Sequence, residues 1–245
     1  MVRERPRAQQ LPAESNVAAI LVTSIPNVLH ALRTSPEWPA RCVELPPLAA
    51  LLPRTAGTPV VDNRTSFVRR HRTPSGDVYV KVYEYFTWAS RLRGGGRRTG
   101  PWATPRPARE FDALQWLRAH GFHAPAPLFA GARRHWGFVA QAILVTAAWP
   151  GEPAAAVLPT LRTAERKQLA DAIRGLLRAL HAHGYRDRNF DLRNLLVQRV
   201  GDGWRIAKID SPRHCFRRAD RGDDRLARAD WQRLEPQLAA CGAGA

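Results

Sequence analysis

The chain has 245 residues and 44% hydrophobic content, enough for one substantial domain or two small lobes with a real core. Its formal net charge is +17, from 38 Lys+Arg against 21 Asp+Glu, so acidic partners are expected: nucleic acid, an anionic membrane surface or a phosphorylated substrate. The isolated Cys42, Cys215 and Cys241 form no CxxC, which argues against a disulfide framework or a zinc site and for a reducing cytosol.

Residues 1–16 are polar and read as a disordered tail. The apolar run Val17–Val22 is too short for a signal-peptide core. A helix over 17–33 is one reading of the next stretch, although 17–60 is Pro- and Leu-rich without clear periodicity. Two β-rich runs, Ser66–Arg72 and Val78–Tyr85, flank the turn signal Thr73-Pro-Ser-Gly-Asp77 and predict a hairpin. Residues 91–107 are rich in Gly, Arg and Pro and read as a mobile surface loop. Pro107 then opens a helix carrying Phe111, Leu114 and Leu117 on one side, closed by Gly121.

Strands at about 127–132 and 137–146 predict a second hairpin. The longest apolar stretch, Phe138–Trp149, is interrupted by Gln141 and Thr146 and falls short of the ~20 residues of a membrane-spanning helix. Thr163 is placed to cap a long helix whose stripe Leu169, Ala172, Ile173, Leu176, Leu177, Leu180 has strong amphipathic spacing. Strands Leu195–Gln198 and Trp204–Ile209 surround the turn Gly201-Asp-Gly203, and residues 223–238 predict a last helix. This order suggests a sheet-rich N-terminal lobe over 17–147, preceded by the tail, and a helical C-terminal lobe over 148–245.

The chemistry gathers at Leu180-His-Ala-His-Gly184-Tyr-Arg-Asp187-Arg-Asn189-Phe-Asp191-Leu-Arg-Asn194. Its spacing follows LH-x-x-G-x-x-HRD-x-x-x-x-N, in which a loop after a long helix holds a base near an acceptor hydroxyl and an amide five residues on binds Mg²⁺. Asn194 stands at that amide position, and Asp210, delivered by an apolar strand, suits a second metal ligand. Only three of the 38 basic residues are lysines: Lys81, Lys167 and Lys208. Where Arg is so abundant, a retained Lys suggests a compact point charge. Lys81 alternates with Val80 and Val82 in a β-run, as a phosphate-binding lysine does, and Glu110 on the following helix is its expected partner, with Asp112 the competing acid. No G-x-G-x-x-G precedes Lys81, so the phosphate-covering segment is left to Asp62-Asn-Arg-Thr-Ser66.

These motifs are similar to the catalytic segment of protein-kinase-like phosphotransferases. The Asp210-Ser-Pro-Arg213 and Arg109-Glu110-x-x-x-Leu114-x-x-Leu117 patterns resemble most the lipopolysaccharide (Kdo/heptose) kinases. The resemblance implies an α+β, two-lobed protein-kinase-like fold with a small antiparallel-sheet N-lobe and a helical C-lobe. It implies ATP and Mg²⁺ as cofactors and a sugar hydroxyl of the lipopolysaccharide core as acceptor. The protein would then work in the cytoplasm, peripheral to the inner face of the inner membrane. In this frame Lys81 and Glu110 serve the phosphates, Asn194 and Asp210 the metal, Arg213 the phosphate or the loop, and the backbone near Val145 the adenine.

The base position is occupied by Asn189, and an amide cannot accept a proton as a carboxylate does. Three readings stay open: Asp191 substitutes, Asp187 is the base with a longer loop, or the protein is a catalytically weakened nucleotide binder. Asp187 and Asp191 also have a structural reading, as turn carboxylates paired with Arg186, Arg188 or Arg193. His181 and His183 read as helix-end caps. The rivals to a lipopolysaccharide kinase are a non-catalytic kinase-like protein, a basic nucleic-acid-binding protein, and a kinase of aminoglycosides or choline.

Overall fold

A computed structural model describes residues 29–92, 99–217 and 224–243. The N-terminal tail assigned to 1–16 lies outside them.

The N-terminal lobe is an antiparallel sheet of six strands: β1 (Leu29–Thr34), β2 (Thr58–Asn63), β3 (Ser66–His71), β4 (Val78–Glu84), β5 (Pro127–His135) and β6 (Phe138–Ala147), in the order β1-β5-β6-β4-β3-β2. The expected helix over 17–33 is corrected where it can be seen: Leu29–Thr34 is an edge strand paired with β5, with Leu29 opposite Arg133. The short apolar run carried no periodicity to decide between helix and strand, and pairing with β5 decided it. Residues 17–28 lie outside the described segment. Two short helices, α1 (Trp38–Cys42) and α2 (Leu48–Leu51), follow β1 and insert Trp38 and Leu51 under the sheet.

Alternation sorts the sheet into two faces. Val78, Val80 and Val82 of β4 and Ile143 and Val145 of β6 point into one core with Phe67, Leu128 and Phe129. Tyr79, Lys81, Leu144 and Thr146 take the other face and line a cavity. Helix α4 (Arg106–Ala119) packs Phe111, Leu114 and Leu117 into the larger core, which it shares with the C-terminal lobe.

The loop expected over 91–107 is only partly a loop. A short helix α3 (Trp88–Leu92) enters it, residues 93–98 lie outside the described segments, and 99–105 are tied down. The Val139 amide donates to the Thr99 carbonyl at 2.7 Å, and Arg134 donates to the carbonyls of Gly100 (2.9 Å) and Ala103 (3.2 Å). Composition marked the segment as irregular but could not show its anchorage to β6.

The C-terminal lobe is built on α6 (Thr163–Ala182), which buries Leu169, Ile173, Leu177 and Leu180, with Ala172 and Leu176 at the edge of the same core. Thr163 is the first helical residue rather than the cap; Arg162 holds that position without a side-chain bond. Before α6 come the short strand β7 (Glu152–Pro153) and helix α5 (Ala154–Val157). After it come β8 (Tyr185–Arg186), the hairpin β9 (Leu195–Val200) and β10 (Gly203–Lys208), the short strand β11 (Cys215–Phe216) and the final helix α7 (Arg225–Ala240). Arg174 of α6 reaches Glu235 of α7 at 2.8 Å and fastens the two helices. The cysteines are free thiols. Among the described residues no helix is long and apolar enough to cross a membrane.

Candidate active site

The cavity between the lobes has a volume of about 320 Å³. Its sheet wall is Val61, Val68, Tyr79 and Lys81, its floor Leu196 and Ile209, and its rear Glu110 and Asp210. Val68 and Lys81 face one another across β3 and β4, while Leu144 pairs with Lys81 from β6.

Lys81 is the hub. Its Nζ lies 3.0 and 3.1 Å from the two Glu110 oxygens and 2.5 Å from Asp210 Oδ1. Glu110 is buried and also accepts from the Tyr83 hydroxyl at 3.1 Å. Burial opposes the charged lysine, but the Glu110 carboxylate beside it, with Tyr83 and Asp210, holds the Lys81 ammonium well above the ordinary lysine value. Burial lifts the Glu110 carboxyl above its usual range, with Lys81 opposing. Burial also acts to raise Asp210, but Lys81 outweighs it and keeps the carboxyl below its usual range. The site therefore carries fixed charge of both signs. Asp112, the competing acid, pairs instead with Arg33 of β1 at 2.8 Å.

Asp210 has φ +55°, a left-handed backbone uncommon for a residue with a side chain. Such a conformation persists only where surrounding structure enforces it. Here the Ile209 amide donates to the Asn194 carbonyl at 2.9 Å and Lys81 grips the carboxylate. The same bond places Asn194 and Asp210 at the open end of one hairpin. The Asn194 amide nitrogen donates to the Asn189 carbonyl at 3.3 Å, which leaves its oxygen as the acceptor for a cation. No group of three or more metal-binding side chains occurs among the described residues.

The loop between α6 and β9 is set from two sides. Gly184 has φ +77°, and a Cβ there would meet the Arg217 carbonyl at 2.3 Å, so the turn requires glycine. On the other side the buried Asp230 of α7 accepts from the backbone amides of Asp187 (3.1 Å) and Arg188 (2.9 Å) and contacts His181 Nε2 at 3.2 Å. His181 thus faces α7 instead of capping α6. His183 occupies the helix C-cap, its Nδ1 2.9 Å from the Ala179 carbonyl oxygen.

The three candidate bases fare differently. Asp187 is 1% exposed and faces Lys208, also 1% exposed, at 3.2 Å. Burial lifts its carboxyl above the usual range, with Lys208 opposing. It lies inside the protein, away from the cavity lining. Asp191 accepts from Arg193 Nε and Nη2, both at 2.9 Å, and from the Arg193 amide at 3.0 Å. That hydrogen bonding holds its carboxyl below the usual range. Asn189 accepts from Arg233 of α7 at 3.1 Å.

The hinge expected to offer backbone groups near Val145–Ala147 lies at the end of β6. The Val145 side chain itself is fully buried in the core on the far face of the sheet, and the residue pairs with Val80 and Phe129 on either side. The cavity is lined instead by its neighbours Leu144, Thr146 and Ala147 and by Trp149 and Gly151 after the strand. Gly151, at φ +146°, passes within 2.8 Å of the Val197 carbonyl at the position of a Cβ, so this connection closes tightly onto β9. The segment 62–66 forms the turn between β2 and β3, where Asp62 is engaged by Arg69 at 2.6 Å and by Arg54. Arg54 also binds Glu84 at 2.6 Å.

Sequence reasoning did not find Asp230 or Tyr83 as parts of this arrangement, nor Arg193 as part of the cavity lining. For Asp230 the signal was present: Arg225-Leu-Ala-Arg-Ala-Asp230-Trp faintly resembles a helix of the lipopolysaccharide kinases. Arg193 looked like a partner for Asp191, which it is, but its 80% exposed side chain also lines the cavity.

A small sheet lobe over a helical lobe, with a Lys–Glu pair and an Asp meeting at the cleft, defines the protein-kinase-like phosphotransferase fold. Among the solved structures that share it are the following two. A structure of WaaP in complex with acyl carrier protein aligns at 15% identity and TM-score 0.50 over 76% of this chain and 77% of that one. The ADP/Mg²⁺-phosphoaspartate complex of the Rio2 kinase from Chaetomium thermophilum aligns at 16% identity and TM-score 0.55, over 78% of this chain and 57% of that one. No curated protein sequence matches. Residues 96–240 match the lipopolysaccharide kinase (Kdo/WaaP) family, and the chain belongs to it.

Proposed function

We propose that the protein transfers a phosphoryl group from ATP, with Mg²⁺, to a sugar hydroxyl of the lipopolysaccharide core. The observation that carries this is Lys81 bridging Glu110 and Asp210 at the wall of an inter-lobe cavity. The cleft suits a nucleotide. Its upper part offers apolar and aromatic surface from Val68, Tyr79, Leu144 and Trp149, and its inner end offers an ammonium beside an ionised carboxylate. ATP supplies the phosphoryl group, and Mg²⁺ neutralises its charge during transfer. Lys81 orients the phosphates, with Glu110 fixing the lysine. Asp210 and the Asn194 amide oxygen would hold the cation. Arg193 brings positive charge to the same wall.

For the acceptor, Asp187 is too deeply sealed to serve, and we assign the orienting role to Asp191. With Arg193 holding it ionised, it is a weak base but a fixed hydrogen-bond acceptor for a hydroxyl. Positioning and charge stabilisation supply most of phosphoryl-transfer catalysis, so a weak base does not preclude turnover. The second reading, a nucleotide binder of weakened catalysis, is favoured by Asn189 at the base position, tied to Arg233. The bare nucleic-acid-binding reading has no comparable site in its favour.

Peripheral contact with an anionic membrane from the cytoplasmic side belongs to the same proposal. Trp102 (95% exposed), Trp136 (79%), Trp88 and Phe86 stand out from the N-lobe, and Arg91 packs over Trp88. The Gly137 turn beside Trp136 adjoins Pro101, next to Trp102, and Trp88 stacks edge-on against Phe138. Amphipathic Trp and Arg are suited to the headgroup zone of a bilayer.

The test is phosphate incorporation from labelled ATP into isolated lipopolysaccharide core. Lys81→Ala and Asp210→Ala should each lower kcat by at least about a hundredfold, in line with the loss of a main charge-stabilising group. Asp191→Asn should lower kcat with unchanged nucleotide affinity. Turnover that survives Lys81→Ala and Asp210→Ala would end this reading. Nucleotide binding with no Asp191-dependent turnover would select the second one.

A further inference from the structure

Helices α4 and α6 end in the same way. Each closes on a histidine at its C-cap, His120 and His183, followed by a glycine and then an aromatic residue. The triplets are His120-Gly121-Phe122 and His183-Gly184-Tyr185, with φ +79° at Gly121 and +77° at Gly184. The left-handed glycine turns each chain out of its helix directly after the imidazole. The two ends converge in space. The His120 and His183 ring centroids lie 6.2 Å apart, with the rings at 83° to one another. Both residues are exposed, and neither lines the inter-lobe cavity.

Neighbouring groups hold the rings in place. His120 stacks on Trp116 at 4.0 Å and 22°. Trp116 also packs on Phe122 at 6.1 Å and on Tyr185 at 5.1 Å, so one indole touches both triplets. The His183 ring stands edge-on to Phe122 at 5.2 Å. Each Nδ1 faces the carbonyl oxygen four residues back: Trp116 for His120 at 2.8 Å, Ala179 for His183 at 2.9 Å. A carbonyl oxygen only accepts, so in the neutral rings the proton sits on Nδ1 and the lone pair on Nε2. Metal-binding histidines are oriented in this manner. The ring N–H that does not face the ion donates to a carbonyl, which fixes the tautomer and makes the ligating nitrogen more basic.

The surroundings suit a cation. The last turn of a helix carries partial negative charge, and here two such turns meet. Arg118, just before His120, is turned to the Ala124 carbonyl at 3.2 Å, and Arg186, just after the second triplet, is taken by Asp224. The spacing also fits. A Zn–N bond of about 2.0–2.1 Å puts an imidazole centroid about 3.2 Å from the ion, so two rings on one ion lie at most about 6.5 Å apart, and about 5 Å apart at the tetrahedral angle. The 6.2 Å separation falls inside that span. Closing it by about 1 Å needs only small rotations of two exposed side chains.

We propose that His120 and His183 form a two-histidine site for a divalent transition-metal ion of the zinc, copper or nickel class, bound through both Nε2 atoms with water completing its coordination. Imidazole nitrogen suits these ions, whereas Mg²⁺ takes oxygen ligands. The ion clips the end of α4, the helix that carries Glu110, to the end of α6, the helix that leads into the loop of Asn189, Asp191 and Asn194. The site needs neither nucleotide nor acceptor, so the proposal does not rest on the kinase reading.

Calorimetric titration of the full chain with Zn²⁺ alone tests it, and saturable binding of one ion is expected. His120→Ala and His183→Ala should each weaken binding by about tenfold or more, the loss of one of two protein ligands. His135→Ala, at an exposed histidine at the end of β5, and Asp210→Ala should leave it unchanged, and Mg²⁺ should not compete. In thermal unfolding, Zn²⁺ at about a hundredfold excess over Kd should raise Tm by about 5–10 °C in the parent and by at most half as much in either histidine variant. Scans without metal report whether each variant is folded, and His→Gln replaces His→Ala where it is not. Absence of saturable Zn²⁺ binding, unchanged binding by either folded histidine variant, or loss of binding through Asp210→Ala or added Mg²⁺ overturns the proposal. A chain that binds Zn²⁺ here but shows no phosphotransfer leaves the metal site standing and defeats only the kinase reading.

Discussion

Replacing Lys208 with Met removes the positive half of a pair in which both side chains are 1% exposed. What remains is an Asp187 carboxylate in the interior, already pushed above its usual range by burial. Breaking a buried pair by deleting one partner typically costs about 3–5 kcal/mol. In a domain of this size that corresponds to roughly 6–20 °C in Tm. Lys208 also donates to the Ile209 carbonyl at 2.5 Å and lies 6.0 Å from the Phe190 ring, so the loss should fall in the upper half of the range. Asp187→Leu should cost a similar amount by stranding the ammonium. The double variant Asp187→Leu/Lys208→Met should recover most of the loss, because apolar replacement of a whole buried pair is often neutral. Urea unfolding followed by circular dichroism measures all three. Single losses below about 1 kcal/mol, or a double variant as unstable as the singles, would refute the buried-pair argument. A double variant that is folded, binds nucleotide and yet has no turnover would show instead that Asp187 takes part in the chemistry.

Two further outcomes are expected. Asp191, Asp210 and Asp224 are all held below the usual carboxylate range, so the unfolded chain binds more protons than the folded one as pH falls. Their contribution to stability is present above about pH 4, the unfolded value, and is lost as pH falls through the lower folded values. Glu110 and Asp187 act in the opposite sense. Acid titration of Tm should therefore slope less steeply in Asp191→Asn than in the parent, and an identical slope would count against the Asp191–Arg193 interaction. Trp102→Ala/Trp136→Ala should reduce co-sedimentation with vesicles containing anionic lipid by about tenfold while leaving Tm within about 2 °C, since both rings are exposed. Equal sedimentation would remove this face from the membrane proposal.

Local pattern made much of this site readable. Lys81 was legible from period-two alternation and from the scarcity of lysine, and the same scarcity directed attention to Lys208, which is buried. The amphipathic spacing of α6 and the apolar strands next to Asn194 and Asp210 carried the rest of the frame. What could not be read depends on distance along the chain. Leu29–Thr34 became a strand because β5, about a hundred residues later, offers it an edge. That Asp187 is paired with Lys208 and Asp191 with Arg193 depends on tertiary placement, which single-residue spacing does not rank. The hinge expected near Val145–Ala147 coincides with the end of β6, but which of its side chains face the cavity depends on the pairing of the strand. The approach of His120 to His183 was invisible because the two stand at the ends of different helices.

Asp230 sits 43 residues downstream of the Asp187 amide that it holds. During synthesis, then, the loop bearing Asn189, Asp191 and Asn194 leaves the ribosome well before the group that shapes it. The N-terminal sheet and α6 can collapse first, in the usual N-to-C order. The loop acquires its final form only when α7 docks. A nascent chain stalled before Asp230 would hold Lys81 and Glu110 but lack the carboxylate that sets the loop after α6, so on the proposed kinase reading the site is completed only at the last helix.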